Sequence, residues 1–423
     1  MNVLVIGAGG REHTLCWKLK QSPRCGRLFA APGNAGTAKC ATNLPVGVND
    51  FEGIKKAVIA NEIKLVIVGP EEPLVNGIHD FFINDTALAK VGVIGPQKKA
   101  ATLEGSKAFA KAFMSRHNIP TAAYDEFTAE NLKEGEAFLT QSNPPYVLKA
   151  DGLAAGKGVL IIHDLEEAKK ELREMLLEQK FGKASSKVVI EEFLPGIELS
   201  CFVLTDGSSY LTLPMAKDYK RIGEGDTGLN TGGMGAVSPV PFVTEVFKEK
   251  IERQIIKPTI EGLQKDGMPF KGFVFIGLIK VGEEPKVIEY NVRLGDPETE
   301  VVLPRIKNDL LTLFQAVHEE KLDEISLEVD PSFAATIVAT SGGYPEAYEK
   351  EKIIYGLEGQ QDKMIFHAGT TQQEEEIKTS GGRVLAVTSF GIKHQEALKD
   401  CYETLSKINF EGINYRKDIG FDL

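Results

Sequence analysis

Val287-Ile288-Glu289-Tyr290-Asn291-Val292-Arg293-Leu294-Gly295-Asp296-Pro297-Glu298 begins as an apolar strand and carries three polar side chains in register. A strand turns successive side chains to opposite faces. Glu289, Asn291 and Arg293 therefore share one face, with Ile288, Tyr290, Val292 and Leu294 on the other. A carboxylate, an amide oxygen and a guanidinium aligned between apolar flanks are costly to bury without a ligand. Hard oxygen donors two residues apart suit a divalent cation bridging nucleotide phosphates, and a guanidinium suits a phosphoryl or carboxylate group. A half-exposed strand with a solvated polar face is the competing reading.

Upstream, Tyr146-Val147-Leu148-Lys149-Ala150-Asp151-Gly152-Leu153-Ala154-Ala155-Gly156-Lys157-Gly158-Val159 reads as two strands joined by small residues. It departs from a Walker A loop in three ways. Three residues rather than four separate Gly152 from Gly156, Gly158 stands where Ser or Thr would bind magnesium, and a strand follows instead of a helix. Such a loop can fold over phosphates, with Lys157 at its tip and Lys149 ending the first strand. A surface hairpin is the plain alternative, which two bracketing lysines disfavour. Glu191-Glu192-Phe193-Leu194-Pro195-Gly196-Ile197-Glu198 ends another apolar strand. Backbone groups of Glu191 to Leu194 could meet an adenine edge and Glu198 could accept bonds from ribose hydroxyls, although solvated acids are the ordinary reading at a strand end. Between these elements, residues 218–235 hold charged residues without periodicity and six glycines from Gly223 onward. They form either a disordered loop or one that closes on substrate, and the adjacent Lys220-Arg221 pair favours the second.

At the N-terminus, Gly7-Ala8-Gly9-Gly10-Arg11-Glu12 follows the strand Val3–Gly7 and opens a helix. Backbone N–H groups and the positive end of the helix dipole converge there, as at many anion sites. Glu12 takes the place of the third glycine of a dinucleotide fingerprint. The second strand ends in Pro32-Gly33-Asn34, without an acid for a ribose. A structural turn, a phosphate-bearing substrate and a dinucleotide all remain open on this motif alone, with Arg11 favouring a phosphate monoester.

Strand and helix alternate up to about residue 104, which predicts an open parallel α/β domain. Longer antiparallel strand signals follow residue 195, and an acidic segment at 320–332 precedes a third unit. Length agrees, since 423 residues at roughly 150 per domain make two to four domains. With 42% hydrophobic and 26% charged residues and a net charge of -11, the chain has ample core and no basic block. This disfavours nucleic-acid and anionic-membrane binding. The five cysteines show no CxxC spacing and read as reduced thiols. No apolar run approaches the ~18 residues of a membrane span, so a cytoplasmic location is expected.

The lysine strand, small-residue loop, following acids and Glu-x-Asn-x-Arg strand together resemble the ATP-grasp ligases, and more closely the phosphoribosylamine–glycine ligase (glycinamide ribonucleotide synthetase) family. GAGGREH, APGNAGT, VGPEEPL, LEGSKAFAK, KADGLAAGKGV, EEFLPG, GDTGLNTGGMGA, RLGDPETE and GGYP occur in that family's order, and HAGT and GGRVLAV extend the match. Leu294, Glu300 and Leu229 depart from the family's usual Phe, Gln and Pro. Lys217-Asp218-Tyr219-Lys220 replaces a common Gln-Asp-His-Lys.

The resemblance implies an α/β and α+β multidomain protein: an N-terminal α/β domain for the phosphoribosyl substrate (1–104), an ATP-grasp domain (105–326) with a lid near 121–190, and a small C-terminal α+β domain (327–423). It implies that ATP, glycine and 5-phosphoribosylamine give glycinamide ribonucleotide, ADP and phosphate through glycyl phosphate. Lys107, Lys149, Lys157, Arg221 and Asn230 would hold ATP phosphates. Glu191, Glu192, Phe193, Leu194 and Glu198 would hold adenosine, and Glu289 and Asn291 would bind Mg²⁺ or Mn²⁺. Arg293, Lys157 and Asp218 would be catalytic, Arg293 also meeting the acyl phosphate. Gly9, Gly10, Arg11 and Asn34 would meet the phosphoribosyl end. Monomer and homodimer are both compatible with the sequence. The alternatives are an ATP-grasp carboxylate–amine ligase for another amine, an NAD-dependent oxidoreductase, and a regulatory nucleotide-binding module. Glu289, Asn291, Arg293 and the loop lysines disfavour the last.

Overall fold

Strand β1 (Asn2–Gly7) is apolar on both faces because both are covered. Leu4 and Ile6 join one core cluster, Val3 and Val5 another. It lies at the centre of a parallel sheet with β2 (Leu28–Pro32), β3 (Thr42–Asn43), β4 (Ile63–Val68) and β5 (Gly92–Ile94), in the order β3-β2-β1-β4-β5. Chain direction across the sheet reverses at β1. A crevice therefore opens beyond its carboxyl end, where Gly7 leads into the helix Gly10–Lys20. This computed structural model describes residues 1–154 and 158–423.

The expected class change after the first sheet is present. Strands β6 (Tyr124–Thr128), β7 (Tyr146–Ala150), β8 (Val159–Ile162) and β9 (Lys187–Glu191) form an antiparallel sheet in the order β6-β9-β7-β8. The helix Leu165–Leu177 packs Ala168, Leu172, Met175 and Leu176 against it. A second antiparallel sheet joins β10 (Ile197–Thr205), β11 (Tyr210–Thr212), β16 (Gly272–Val281) and β17 (Glu284–Asn291) in the order β11-β10-β16-β17.

The third large sheet runs β12-β15-β18-β22-β19. It combines β12 (Lys217–Asp218) and β15 (Gly235–Ser238) with the late strands β18 (Phe333–Thr340), β19 (Met364–His367) and β22 (Arg383–Gly391). The C-terminal unit is therefore continuous in hydrogen bonding with the segment that brackets the glycine-rich stretch. That stretch is an ordered hairpin, β13 (Arg221–Gly223) with β14 (Thr227–Asn230). A further hairpin, β20 (Thr370–Gln373) with β21 (Glu376–Thr379), carried no sequence signal. No helix among the described residues is long and apolar enough to cross a membrane, and all five cysteines are unpaired.

Asn34 ties the first sheet to the third. Its Nδ2 donates to the carbonyls of Ala8 at 2.9 Å and His367 at 2.7 Å, while its Oδ1 accepts from the N–H groups of Gly36 and Thr37. The Asn34 amide, expected to meet substrate, is here engaged by backbone, and it does not line the cleft described below. Asn34→Ala strands several buried polar groups at once. It should lower unfolding free energy by about 3 kcal/mol, read by urea denaturation; a loss below about 1 kcal/mol would show that the junction holds without it.

Candidate active site

The lid sheet and the sheet β11-β10-β16-β17 face each other across a cleft of about 920 Å³, which continues to the glycine turn after β1. On one wall stands β17. A bulge opposite Gly277 and Leu278 pairs Gly277 with Glu289 but Leu278 with Val287, leaving Ile288 as the extra residue. Strict alternation predicted Ile288 on the core face. The bulge turns it to the cleft beside Glu289, while Val287, Tyr290 and Val292 stay in the core. The strand ends at Asn291, so Arg293 reaches the cleft from the turn that follows.

Facing Glu289 are cations from three elements. Lys107 and Lys111 come from the helix Lys107–Arg116, which Ser106 caps by accepting from Phe109 N–H. Lys149 ends β7, and Lys220 precedes β13. Glu191 bridges two of them: its Oε2 lies 3.1 Å from Lys111 Nζ and 3.0 Å from Lys149 Nζ, with all three side chains buried. Its Oε1 has no partner. Burial pushes Lys111 down to about 8 although Glu191 opposes it, and burial likewise lowers Lys107. Lys220 lies 2.7 Å from Glu198. Burial works against its charge, but Asp218, Glu198 and Glu289 outweigh that and hold it well above the usual lysine range. Glu289 is raised by burial and lowered more by Lys220, Lys149 and Lys107, so it stays ionised. Asp218 is pushed up, by burial and then by Glu198, with Lys220 and Lys217 opposing.

Arg293 is held by acids from the first unit. Its Nη2 lies 2.7 Å from Glu104 Oε1, and its Nε 3.4 Å from Glu71 Oε2. Glu104 also accepts from Val292 N–H at 2.7 Å, and burial raises it to about 7 against the pull of Arg293. Arg293 Nη2 donates to Asn291 Oδ1 at 3.2 Å. Among the described residues Asn291 Nδ2 is a buried donor without a hydrogen-bond partner beside the cleft, and Arg293 Nε has only its longer approach to Glu71.

The donor set suits a hard cation. Among the described residues no three His, Cys, Asp or Glu side chains gather as a metal cage. Glu289 offers a carboxylate and Asn291 an amide oxygen, which here accepts from Arg293 Nη2. One or two protein ligands completed by phosphate oxygens is the usual pattern for Mg²⁺.

Of the expected residues, Gly9, Arg11, Lys107, Lys149, Glu191, Glu198, Asp218, Arg221, Asn230, Glu289, Asn291 and Arg293 line this one cleft. Glu192, Phe193 and Leu194 form the extended link from β9 to β10 and do not line it, nor does Gly10. Lys157 lies outside the described residues. The glycine turn also differs from a vacant anion site. Glu12 Oε2 accepts from Gly9 N–H at 2.6 Å, and Asp296 Oδ2 from Arg11 N–H at 3.1 Å. The Arg11 guanidinium pairs with Glu12 and donates to Leu294 O at 3.0 Å, so Arg11 links the turn to the segment that follows β17. The sequence reading missed Lys111, Glu71 and Glu104. Lys111 had a usable signal, since it sits four residues after Lys107 and shares its helix face.

The sheet β6-β9-β7-β8 set over a second antiparallel sheet, with lysines opposed to a Glu-x-Asn strand, defines an ATP-grasp enzyme. Three family descriptions match in succession: phosphoribosylglycinamide synthetase N domain over residues 1–104, its ATP-grasp (A) domain over 105–299, and its C domain over 334–422. A phosphoribosylamine–glycine ligase of Vibrio vulnificus is 46% identical over 429 residues, covering 100% of this chain and 98% of the relative. A bifunctional purine biosynthetic protein of Pichia angusta is also 46% identical, and the chain spans 53% of its length. The crystal structure of the phosphoribosylamine–glycine ligase of Thermotoga maritima superposes with a TM-score of 0.85 at 35% identity, covering 99% of this chain and 100% of that one. The chain belongs to the phosphoribosylglycinamide synthetase family.

Removing Lys111 leaves Glu191 with Lys149 as its one ion-pair partner among the described residues, in a buried place. Lys111→Met should cost about 3 kcal/mol of stability in urea denaturation. A neutral result would mean that Lys149 alone balances Glu191.

Proposed function

We propose that this chain joins glycine to 5-phosphoribosylamine with ATP, through glycyl phosphate, in a step of purine biosynthesis. The observation that carries the reading is the meeting of Glu289, Asn291 and Arg293 with Lys107, Lys149 and Lys220 in one cleft. Lys107, Lys149, Arg221 and Asn230 are assigned to the phosphates, and Glu198 to the ribose. The backbone of Glu191 to Leu194, in the stretch between the cleft-lining residues Glu191 and Gly196, is assigned to adenine. Glu289 and Asn291 would hold Mg²⁺ or Mn²⁺, which would offset the charge of the phosphates.

The chemistry asks mainly for positioning and charge neutralisation. A glycine carboxylate oxygen attacks the γ-phosphorus and the bond to the ADP oxygen breaks, giving glycyl phosphate and ADP. The amine nitrogen of phosphoribosylamine then attacks the glycyl carbonyl carbon. The C–O bond to phosphate breaks, the nitrogen loses a proton, and glycinamide ribonucleotide and phosphate are released. Arg293 is assigned to the shared carboxylate and acyl phosphate oxygens, because it lines the cleft two residues beyond Asn291. Asp218, a carboxyl group lining the same cleft, is assigned to the glycine ammonium group. Gly9 and Arg11 lie at the end of the same cleft assigned to the phosphoribosyl group.

ADP release should require glycine and phosphoribosylamine together, measured by a coupled assay with the amine generated in place. Release with glycine and another amine instead would indicate a different carboxylate–amine ligase. Glu289→Gln should lower kcat/KM roughly 100-fold, equivalent to about 2.7 kcal/mol, and raise the Mg²⁺ concentration for half-maximal rate. An unchanged Mg²⁺ dependence would remove the metal assignment.

A further inference from the structure

The hairpin β13–β14 carries Arg221 and Asn230 into the cleft, yet little in its own composition holds it there. Two-stranded hairpins are marginal alone, and this one has an irregular register between Arg221 and Gly223. Residues 224–229 are exposed, and Ile222 is the hairpin residue packed against the third core cluster. Its turn places Gly225 at φ +63° and Asp226 at φ +54°, the latter an unusual conformation for a residue with a side chain.

What grips the turn is the end of the chain. The Arg416 side chain is 0% exposed although its partners lie near the surface. Its Nη1 donates to Asp226 Oδ1 at 2.6 Å and to the Arg221 carbonyl at 3.2 Å. Its Nε and Nη2 form a side-on fork to Asp418, both at 2.8 Å. Asp418 Oδ2 in turn accepts from Gly225 N–H at 2.7 Å. The guanidinium stacks 5.4 Å from the ring of Tyr219 and 5.8 Å from that of Phe421. Asp422 completes the clasp, accepting from Tyr219 Oη at 2.8 Å and pairing with Lys217 at 3.1 Å. The last residues of the chain thus reach both sides of Asp218 and the turn of the hairpin.

We infer that Arg416 is a positioning residue for the nucleotide: it holds the hairpin so that Arg221 and Asn230 stand over the phosphates. The inference rests on the assignment of Arg221 and Asn230 to ATP. Five donors in a rigid plane allow Arg416 to serve Asp418, Asp226 and a carbonyl together, which a lysine ammonium on a flexible stem cannot reproduce.

The test compares Arg416→Lys, Asp226→Ala and Arg221→Ala in the full-length enzyme. Asp226→Ala removes a largely exposed carboxylate and keeps the test available where Arg416→Lys folds poorly. Arg416→Lys and Asp226→Ala should each raise the KM for ATP about tenfold, with kcat changed less than about threefold. Hydrogen exchange at residues 223–230 should quicken in both, and a non-hydrolysable ATP analogue should slow it again. Arg221→Ala should raise the same KM. A lower melting temperature or faster exchange without a change in KM for ATP would make Arg416 purely structural and overturn the inference. If Arg221→Ala also leaves KM unchanged, the nucleotide assignment of the hairpin fails and takes the inference with it. If Arg221→Ala alone raises KM, the assignment stands and only the clasp is lost.

Discussion

Four lysines cannot share a narrow, partly dry cleft unless carboxylates share it with them. Lys107 and Lys111 are already pushed toward neutrality by burial. Glu191 offsets this by placing one oxygen between Lys111 and Lys149, and Asp218, Glu198 and Glu289 do the same for Lys220. An ion pair of this kind is not a large source of stability, because desolvation cancels most of the attraction. Its value is that the cations keep defined positions before a polyanion arrives. The net charge of -11 gives the molecule no long-range attraction for ATP, so recognition depends on this local arrangement.

The same strand that supplies Glu289 and Asn291 also joins the units of the chain. Beyond Asn291, Arg293 pairs with Glu104 and Glu71, the Leu294 carbonyl accepts from Arg11, and Asp296 accepts from Arg11 N–H and pairs with Arg383. Residues from the first sheet, the central sheets and the late strand β22 thus meet within a few residues of the proposed metal ligands. A displacement of the N-terminal unit would move Arg293 directly. The end of the cleft assigned to the amine substrate is coupled in this way to the group assigned to the acyl phosphate.

Much of this was legible in the chain itself. Apolar runs covered on both faces gave the parallel sheet, and period two with a change from apolar to hard polar donors exposed Glu289, Asn291 and Arg293. Lys149 was visible as a cation ending a buried strand. Other features depend on events that local pattern does not encode. One extra residue in β17 moved Ile288 across the sheet, although nothing in its identity marks a bulge. Lys111 reads as an ordinary lysine on an amphipathic helix until Glu191 is brought to it by folding. Arg11 looks like an anion ligand from its place after a glycine turn, but Glu12 and Asp296 occupy the amides there and Leu294 O takes the guanidinium. The hairpin β13–β14 has no hydrophobic alternation because its partners are the charged side chains of the chain's last residues.

On the metal assignment proposed above, Glu289 and Asn291 are the protein donors, a sparse set, and that sparseness has a functional sense. Glu289 faces Lys107, Lys149 and Lys220, which lower its pKa by favouring the carboxylate but repel a divalent cation brought to the same oxygen. A triphosphate in the cleft changes both terms: its oxygens draw the lysine charge and add ligands to the ion. Metal then binds better with nucleotide than without. Linkage requires nucleotide to bind better with metal by the same factor. An ion held strongly by protein alone would gain little from the phosphates, whereas one held through Glu289 and Asn291 has its affinity set by the substrate it must neutralise. On that assignment the sparse donor set, the crowd of lysines and the unpaired Asn291 amide nitrogen are parts of one arrangement, which a phosphorylated substrate would complete.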